Sequence, residues 1–315
     1  MQQAIEDYLG LLTANRGFSD NTVAAYRNDL TQFEHFLLTT DARGVARPAR
    51  SDVLDSESNR IVWPQVTRSQ VLAFVLFLKD KRYATSTVAR KVAAVKSFFH
   101  YLMAEGTIKA DPTENLDSPK VGKSLPRTLT VDEIDRLLEL PTRSSGPEAA
   151  RDRAMLQLLY ATGMRVSEMI ALNVDDIDCS AGYVRCVGKM GRERVIPIRA
   201  QSAQAVEDYL QGARTLLVKT LDEPALFVNH RGDRLTRQGF WLIVKSYARV
   251  IGTETNITPH TLRHSFAAHQ LSSGARLEDV RQLLGHASIS TTQIYAQLAG
   301  ATAPRQPEEA ATATS

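Results

Sequence analysis

Cysteine is scarce in this sequence: only Cys179 and Cys186 occur among 315 residues. Two cysteines cannot build a disulfide framework, which favours a reducing compartment. The longest apolar run, residues 71–78, is far shorter than the roughly 20 residues of a membrane-spanning helix. The first ten residues, MQQAIEDYLG, also lack the basic and apolar regions of a signal peptide. These absences predict a soluble, cytoplasmic protein with no membrane contact.

Several common catalytic motifs are missing as well. The sequence contains no H-E-x-x-H for zinc, no G-x-S-x-G for a serine nucleophile and no G-x-x-x-x-G-K-[ST] loop for a nucleoside triphosphate. The two cysteines also lack the paired spacing of metal ligands. We therefore expect neither a metal nor a cofactor.

The composition is that of an ordinary globular protein. Apolar residues make up 43% of the chain, and the length suits about two domains of roughly 150 residues. The net charge of +3 is compatible with nucleic-acid binding without establishing it. The overall prediction is a mainly α protein with two domains.

Residues 1–118 show helical periodicity alone, which predicts a domain of about four helices. Two helices are expected within residues 1–40, the second capped by Ser19 or Asn21. Residues 41–64 show no period and predict a long loop. The later boundary signals are a capping box at Thr67 and Gln70, a cap at Ser86, and Gly106 at a helix end.

A basic cluster lies in the second half of this domain. One interpretation is a solvated helix face; the other is a set of phosphate contacts along a DNA groove. The candidate DNA-binding residues are Lys79, Lys81, Arg82, Arg90, Lys91 and Lys96.

Residues 119–127 predict a linker, because they are rich in proline, glycine and basic residues. Residues 128–299 predict a mostly helical domain that opens with a capping box at Thr130 and Glu133. Alternating β-branched residues between positions 174 and 198 predict a small antiparallel sheet. Residues 300–315, rich in Ala, Thr and Pro, predict a disordered tail.

The chemistry-bearing residues gather between positions 258 and 295. His260, Arg263 and His264 are spaced i, i+3 and i+4, so they share one face of a predicted helix. Such a face binds anions well, since the guanidinium fork matches two phosphate oxygens. The competing interpretation is a polar helix end in solvent.

Three further candidates stand at predicted helix ends or turns, and a fourth, Tyr295, lies on the last predicted helix. Arg165 follows a helix-ending glycine, and Glu168 three residues later is placed to orient its guanidinium; a surface ion pair is the alternative. Lys189 lies at the tip of the predicted hairpin, and His286 follows Gly285. Taken alone, Tyr295 is more typical of a packing residue.

The motifs together resemble the tyrosine recombinases, specifically the bacterial Xer-type site-specific recombinases. The resemblance rests on R-x-S-E after T-G, V-G-K in a hairpin, H-x-L-R-H, L-G-H, and a tyrosine nine residues beyond that histidine. It covers the second domain, and residues 1–118 are similar to the family's helical core-binding domain. Met190 departs from the family's usual G-K-G hairpin.

The resemblance implies an active site of Arg165, Lys189, His260, Arg263, His286 and Tyr295. Tyr295 would be the nucleophile that forms a 3′-phosphotyrosine. The arginines and His286 would bind the phosphate. Lys189 would be the acid for the leaving oxygen, and His260 the base. His264 and His269 would be structural.

The resemblance also implies the partners: double-stranded DNA, and this chain or a paired recombinase as a tetramer on two sites. A DNA translocase is a further candidate. The cellular role would be chromosome dimer resolution, in chromosome partition and cell division, or integration and excision of a mobile element. A type IB topoisomerase is the alternative enzyme class.

Overall fold

The computed structural model describes residues 1–15, 18–40, 62–119, 122, 126–188, 191–220, 222–251 and 257–302. The chain divides into two compact units, Met1–Lys123 and Ser124–Ser315. The predicted loop 41–64 and tail 300–315 lie almost wholly outside the described residues. The roles predicted for the two domains, and the boundaries at residues 118 and 128, stay predictions.

The first unit is helical over the residues described, as the periodicity predicts. Its helices are α1 (Gln2–Asn15), α2 (Asp20–Thr39), α3 (Arg68–Asp80) and α4 (Thr85–Ala104). Ser19 caps α2, and the capping box of Thr67 and Gln70 opens α3, both as predicted. The predicted cap at Ser86 is wrong: α4 begins at Thr85, so Ser86 lies inside the helix, and the residue at the cap position, Ala84, makes no side-chain hydrogen bond.

Aromatic side chains fill the core of this unit. The Phe33 ring centroid lies 4.9 Å from that of Phe74, and Trp63 packs edge-on against Phe98 at 4.8 Å. One charge is buried with them: Asp29 is fully buried and pairs with Lys91 and Arg90. A buried carboxylate needs such partners, since an unpaired charge there is strongly destabilising.

The second unit is mostly helical with one small sheet, which confirms the predicted fold class. Its first helices are α5 (Val131–Glu139), α6 (Pro147–Thr162) and α7 (Val166–Ala171). The predicted capping box of Thr130 and Glu133 opens α5. The later helices are α8 (Ala200–Asp208), α9 (Arg214–Leu217), α10 (Arg237–Val250), α11 (Pro259–Ser272), α12 (Leu277–Leu284) and α13 (Ile289–Thr302).

The sheet has three antiparallel strands in the order β1 (Ile177–Asp178), β2 (Tyr183–Val187) and β3 (Glu193–Pro197). In the β2–β3 register Cys186 lies opposite Arg194. Alternation puts Val184 and Ile196 in the core, whereas Val195 points outward. The predicted first strand at residues 174–177 is mostly a 3₁₀ turn, Val174–Asp176.

Gly163 brings the end of α6 against α11. Its φ is +58°, the left-handed conformation that ends a helix, and a Cβ there would lie 2.2 Å from Cδ1 of Phe266. Only glycine fits this close approach. Arg165 is thereby held beside the start of α11, where the histidine and arginine motif lies.

Candidate active site

The motif His260, Arg263 and His264 lies on the first turns of α11. Thr258 caps this helix in a capping box with Thr261, and Pro259 occupies the first turn. The predicted shared face is real, but burial differs along it. His260 is exposed, His264 is half-buried and Arg263 is only 4% exposed. The guanidinium of Arg263 is therefore held inside the protein.

Arg263 joins three separate parts of the second unit. Its Nη1 donates to the carbonyl of Gly163 at 2.5 Å, and its Nη2 donates to the carbonyl of Leu284 at 2.6 Å. Nη2 also lies 3.0 Å from Nε2 of His286. Because an arginine can only donate, Nε2 of His286 must accept. His286 in its neutral form then carries its proton on Nδ1, which lies 2.9 Å from Oγ1 of Thr292.

Three arginines share the carboxyl end of α12. A helix end carries unpaired carbonyls and partial negative charge, which attract guanidinium groups. The contacts are Arg194 Nε to the Leu283 carbonyl at 2.9 Å, Arg263 Nη2 to the Leu284 carbonyl at 2.6 Å, and Arg165 Nη2 to the Gly285 carbonyl at 3.3 Å. This end of α12 therefore gathers the site's positive charge beside His286.

Arg165 makes the contact with Glu168 that the sequence suggests. Its Nη1 lies 2.9 Å from Oε1 of Glu168, and its backbone N–H donates to Oε2 at 2.7 Å. The side chain of Arg165 is 36% exposed, whereas that of Glu168 is 5% exposed. Arg165 is thus anchored on one side and open to a ligand on the other.

Tyr295, on α13, is 3% exposed and lies between two histidines. Its Oη is 2.8 Å from Nδ1 of His264, and its ring stacks near that of His286 with centroids 6.3 Å apart. His264 therefore has a contact beyond the structural role expected for it, because its ring is hydrogen-bonded to the phenol oxygen itself. The printed sequence shows only that His264 shares a face with Arg263; its partner lies on a helix that the fold brings there.

His260 lies one turn before His264, with ring centroids 6.4 Å apart. Within the part of the chain that the structure describes, the phenol oxygen is hydrogen-bonded to His264 and not to His260. Lys189 and Met190 lie outside the described residues, so the prediction for the hairpin tip stays open. The residues on either side of the hairpin tip are joined by a backbone hydrogen bond, in which the Gly188 N–H donates to the Arg192 carbonyl at 2.7 Å.

Burial shapes the protonation of this cluster. It lowers the pKa of His264 and His286 to about 4 each, helped for both by the charge of Arg263. It also lowers the pKa of Arg263, to about 10, which leaves the guanidinium charged at neutral pH. Burial raises the pKa of Tyr295 against the opposing charges of Arg263 and Arg165. The site in its free form therefore combines neutral imidazoles and a protonated phenol with fixed positive charge, which suits an anion.

The lowered histidine pKa values predict that stability depends on pH. A histidine in the unfolded chain titrates near ~6.5, whereas His264 and His286 titrate near 4 in the fold. Between these values the unfolded chain binds more protons, so the free energy of unfolding falls as the pH drops from about 6.5 toward 4. Urea unfolding of the second unit at about pH 7.5 and about pH 5 measures this fall.

The double variant His264→Asn, His286→Asn should show a smaller fall than the wild type, because two of the responsible groups are gone. His230 is an exposed histidine of the same unit, and His230→Asn should keep the wild-type fall. An unchanged pH dependence in the double variant would contradict the assignment.

The basic cluster of the first unit is less uniform than the sequence suggests. Lys91 does not fit the predicted role in DNA binding. Its side chain is 8% exposed and its amine lies 2.8 Å from Oδ1 of Asp29, so its charge pairs with a buried carboxylate. Lys96 is half-buried and donates to the Leu116 carbonyl at 3.0 Å, and Arg90 pairs with Asp29 while staying partly exposed. The exposed members are Lys79, Lys81, Arg82 and Arg90.

Among the described residues no group of three or more His, Cys, Asp or Glu side chains is placed to hold a metal ion. None of the helices described is both long and apolar enough to cross a bilayer.

Family models match most of the chain. The model described as the phage integrase family matches residues 127–301. The model described as the phage integrase N-terminal SAM-like domain matches residues 5–56 and 54–106. Together these matches span both units.

Two named relatives are similar over nearly the whole length. The tyrosine recombinase XerC of Herpetosiphon aurantiacus is 54% identical over 295 residues, which cover 94% of this chain and 90% of the relative. The tyrosine recombinase XerD of Oceanobacillus iheyensis is 41% identical over 296 residues, covering 94% and 93%.

Solved structures share the fold at low identity. XerH site-specific recombinase in a post-cleavage complex with palindromic difH substrate matches with a TM-score of 0.70 at 20% identity, covering 88% of this chain and 76% of that chain. The Tn1549 transposon integrase with transposon right end DNA matches with a TM-score of 0.71 at 17% identity, covering 93% and 94%. At such identities the likeness concerns the fold alone.

Proposed function

Because the chain belongs to the phage integrase family and is a tyrosine site-specific recombinase, we propose that Tyr295 breaks one strand of double-stranded DNA and holds the new 3′ end as a phosphotyrosine. The observation that carries this proposal is the cluster in which Tyr295 lies with His264, His286 and Arg263. A phenol beside fixed positive charge and neutral imidazoles is arranged for attack on a phosphate.

Arg165 and Arg263 bind the non-bridging oxygens of the scissile phosphate. Each guanidinium has more N–H donors than its contacts with carbonyls and Glu168 use. Donors fixed before the reaction stabilise the charge that grows on the phosphate in the transition state. His286 donates a hydrogen bond to the same phosphate when its proton moves to Nε2, which gives up the bond from Arg263, and Nδ1 then accepts from the Thr292 hydroxyl.

Each proton transferred in the proposed cleavage step has a donor and an acceptor in the site. The bond from Tyr295 Oη to phosphorus forms as the bond from phosphorus to the 5′ oxygen breaks. The phenol proton leaves toward His260, the proposed base, in the tautomer where the Nδ1–H of His264 donates to the phenol oxygen and so cannot take the proton. Lys189 gives a proton to the leaving 5′ oxygen. Strand joining reverses these steps, so the bond energy is conserved and no nucleotide cofactor is required.

We place Lys79, Lys81, Arg82, Arg90 and Lys96 on the DNA-contacting surface of the first unit. Lys91 is left out because its amine is already paired inside the core. Phosphate contacts of this kind set position and affinity without reading sequence. They also make binding weaker as salt concentration rises.

The named relatives support a proposal for the biological role. We propose that the chain acts in the cytoplasm to resolve chromosome dimers, as a tetramer of itself or with a paired recombinase on two sites. A DNA translocase is the proposed activator. Integration and excision of a mobile element is the alternative role for the same chemistry.

A plasmid assay tests the proposal. The protein first selects a binding duplex from a random-sequence pool, and two copies of that duplex are placed in one supercoiled plasmid. We expect recombinant circles from the two-site plasmid and no sustained relaxation of a plasmid without sites. Efficient relaxation of the plasmid without sites would instead indicate topoisomerase activity. Tyr295→Phe protein is the control for contaminating nucleases.

A further inference from the structure

Arg194 of β3 is an arginine to which the family motifs assign no role. Its side chain is 15% exposed, so it is not a surface phosphate contact. Its guanidinium forms a two-point pair with Glu168: Nη1 to Oε1 at 3.1 Å and Nη2 to Oε2 at 2.8 Å. Such a fork-to-fork pair fixes the plane of both groups.

Glu168 is the residue through which this pair reaches Arg165. Its two oxygens accept from Arg194 and also from Nη1 and the backbone N–H of Arg165. Burial would raise the pKa of Glu168, yet the hydrogen bonds from Arg194 and the Arg165 backbone hold it below its ordinary value. The carboxylate is therefore charged at neutral pH and shared between two guanidiniums.

Arg194 has a second anchor at the end of α12. Its Nε donates to the Leu283 carbonyl at 2.9 Å, and its Nη1 lies so close to Gly285 that a Cβ there would be 2.9 Å away. The next two carbonyls accept from Arg263 and Arg165. The planar guanidinium thus holds together the carboxylate that contacts Arg165 and the backbone that leads into His286.

We propose that Arg194 is a positioning residue for DNA cleavage, which aims Arg165 at the scissile phosphate through their shared carboxylate, Glu168. This inference rests on the proposed function of Arg165. Lysine cannot replace Arg194, because an ammonium group is a point charge and cannot bridge both oxygens while also reaching the Leu283 carbonyl. Arg194 itself touches neither DNA nor the reacting atoms.

The test compares Arg194→Lys with Arg185→Lys. Arg185 lies on the neighbouring strand β2, is 50% exposed, and contacts Asp175 and Asp176 away from the site. The assays are DNA binding and single-turnover formation of the covalent adduct on the selected duplex, nicked beside the cleavage site so that the adduct accumulates. We expect DNA binding within about twofold of wild type for both variants. Adduct formation should slow on the order of tenfold or more for Arg194→Lys alone, by analogy with metal sites, where losing a residue that orients a ligand costs about 10–100-fold.

A neutral substrate separates positioning from general damage. A methylphosphonate at the scissile position lacks the charge that Arg165 would neutralise. If Arg194 acts through Arg165, the defect of Arg194→Lys should shrink several-fold on this substrate. A defect of equal size on both substrates would overturn the proposal, and so would adduct formation as fast as in Arg185→Lys.

A second variant keeps the test valid if Arg194→Lys unfolds. The pair Arg194→Gln with Glu168→Gln removes both buried charges together, so no unpaired carboxylate remains in the core. It should show the same selective defect on the charged substrate, and equal defects on both substrates would again overturn the proposal. Arg165→Ala separates a failure of the proposed function of Arg165 from a failure of the positioning role of Arg194. If Arg165→Ala forms the adduct normally, the proposed function of Arg165 fails; if only the Arg194 variants do so, the positioning role alone fails.

Discussion

Tyr295→Phe is expected to bind the selected duplex with wild-type affinity and to form no covalent adduct. The variant loses one hydroxyl, which is hydrogen-bonded to His264. Its ring would still pack with the small apolar cluster that includes Phe266, Val280 and Leu298. Losing one such hydrogen bond costs about 1 kcal/mol of stability, whereas losing the nucleophile abolishes the reaction. Gel shift measures binding, and denaturing electrophoresis with nicked duplex measures the adduct.

Tyr160→Phe is the matched control for this experiment. Tyr160 also makes a hydrogen bond to a histidine, since its Oη lies 2.8 Å from Nδ1 of His269, and it belongs to the same unit. This variant should form the adduct at the wild-type rate. An adduct recovered from Tyr295→Phe would place the nucleophile on another residue.

Arg165→Ala is expected to slow adduct formation by about 10²–10³-fold, equivalent to roughly 2.7–4 kcal/mol of transition-state stabilisation. The guanidinium is held by Glu168 and the Gly285 carbonyl, yet 36% of the side chain faces solvent, where a phosphate can reach it. Single-turnover rates at saturating protein measure the effect without a contribution from weaker binding. Arg263→Ala should be as severe, but its buried contacts also support the fold, which makes Arg165 the cleaner test.

Arg153→Ala provides the comparison for Arg165→Ala. Arg153 is 38% exposed and also pairs with a carboxylate, Asp208, at 3.5 Å. Removing it deletes the same charge from the same unit at a similar exposure. We expect a change of less than about threefold, since ion pairs at exposed sites contribute little. Equal rates for the two variants would contradict the role of Arg165.

Much of the local structure could be predicted from short-range patterns. The capping boxes at Thr67 and Thr130 and the left-handed Gly106 all occur where the sequence signals them. These features depend on residues three or four positions apart, so tertiary packing does not override them. The predicted cap at Ser86 is wrong because α4 begins at Thr85, which places Ser86 inside the helix.

Long-range contacts could not be predicted in the same way. The spacing of His264 shows which helix face it occupies, but its partner Tyr295 lies 31 residues away on another helix. Lys91 looks like its basic neighbours in sequence, yet the fold brings it to the buried Asp29, 62 residues away. In both cases the function of the side chain depends on a partner that only the tertiary structure supplies.

The alternation of residues in β3 carries a sequence signal for Arg194. Arg194 and Ile196 share the inward face of β3, and the residues that alternate with them are exposed. A charged residue at a core-facing strand position needs a buried partner. Such alternation predicts that an ion pair exists, but not that its carboxylate is the one that also holds Arg165.

The most direct test of the account is to identify the residue that carries the DNA. Wild-type protein is incubated with the nicked selected duplex, the adduct is digested with protease and nuclease, and the modified peptide is sequenced by mass spectrometry. We predict a 3′-linked nucleotide on Tyr295, within the peptide that follows Arg281. A nucleotide on any other residue, or one attached through its 5′ phosphate, would contradict it.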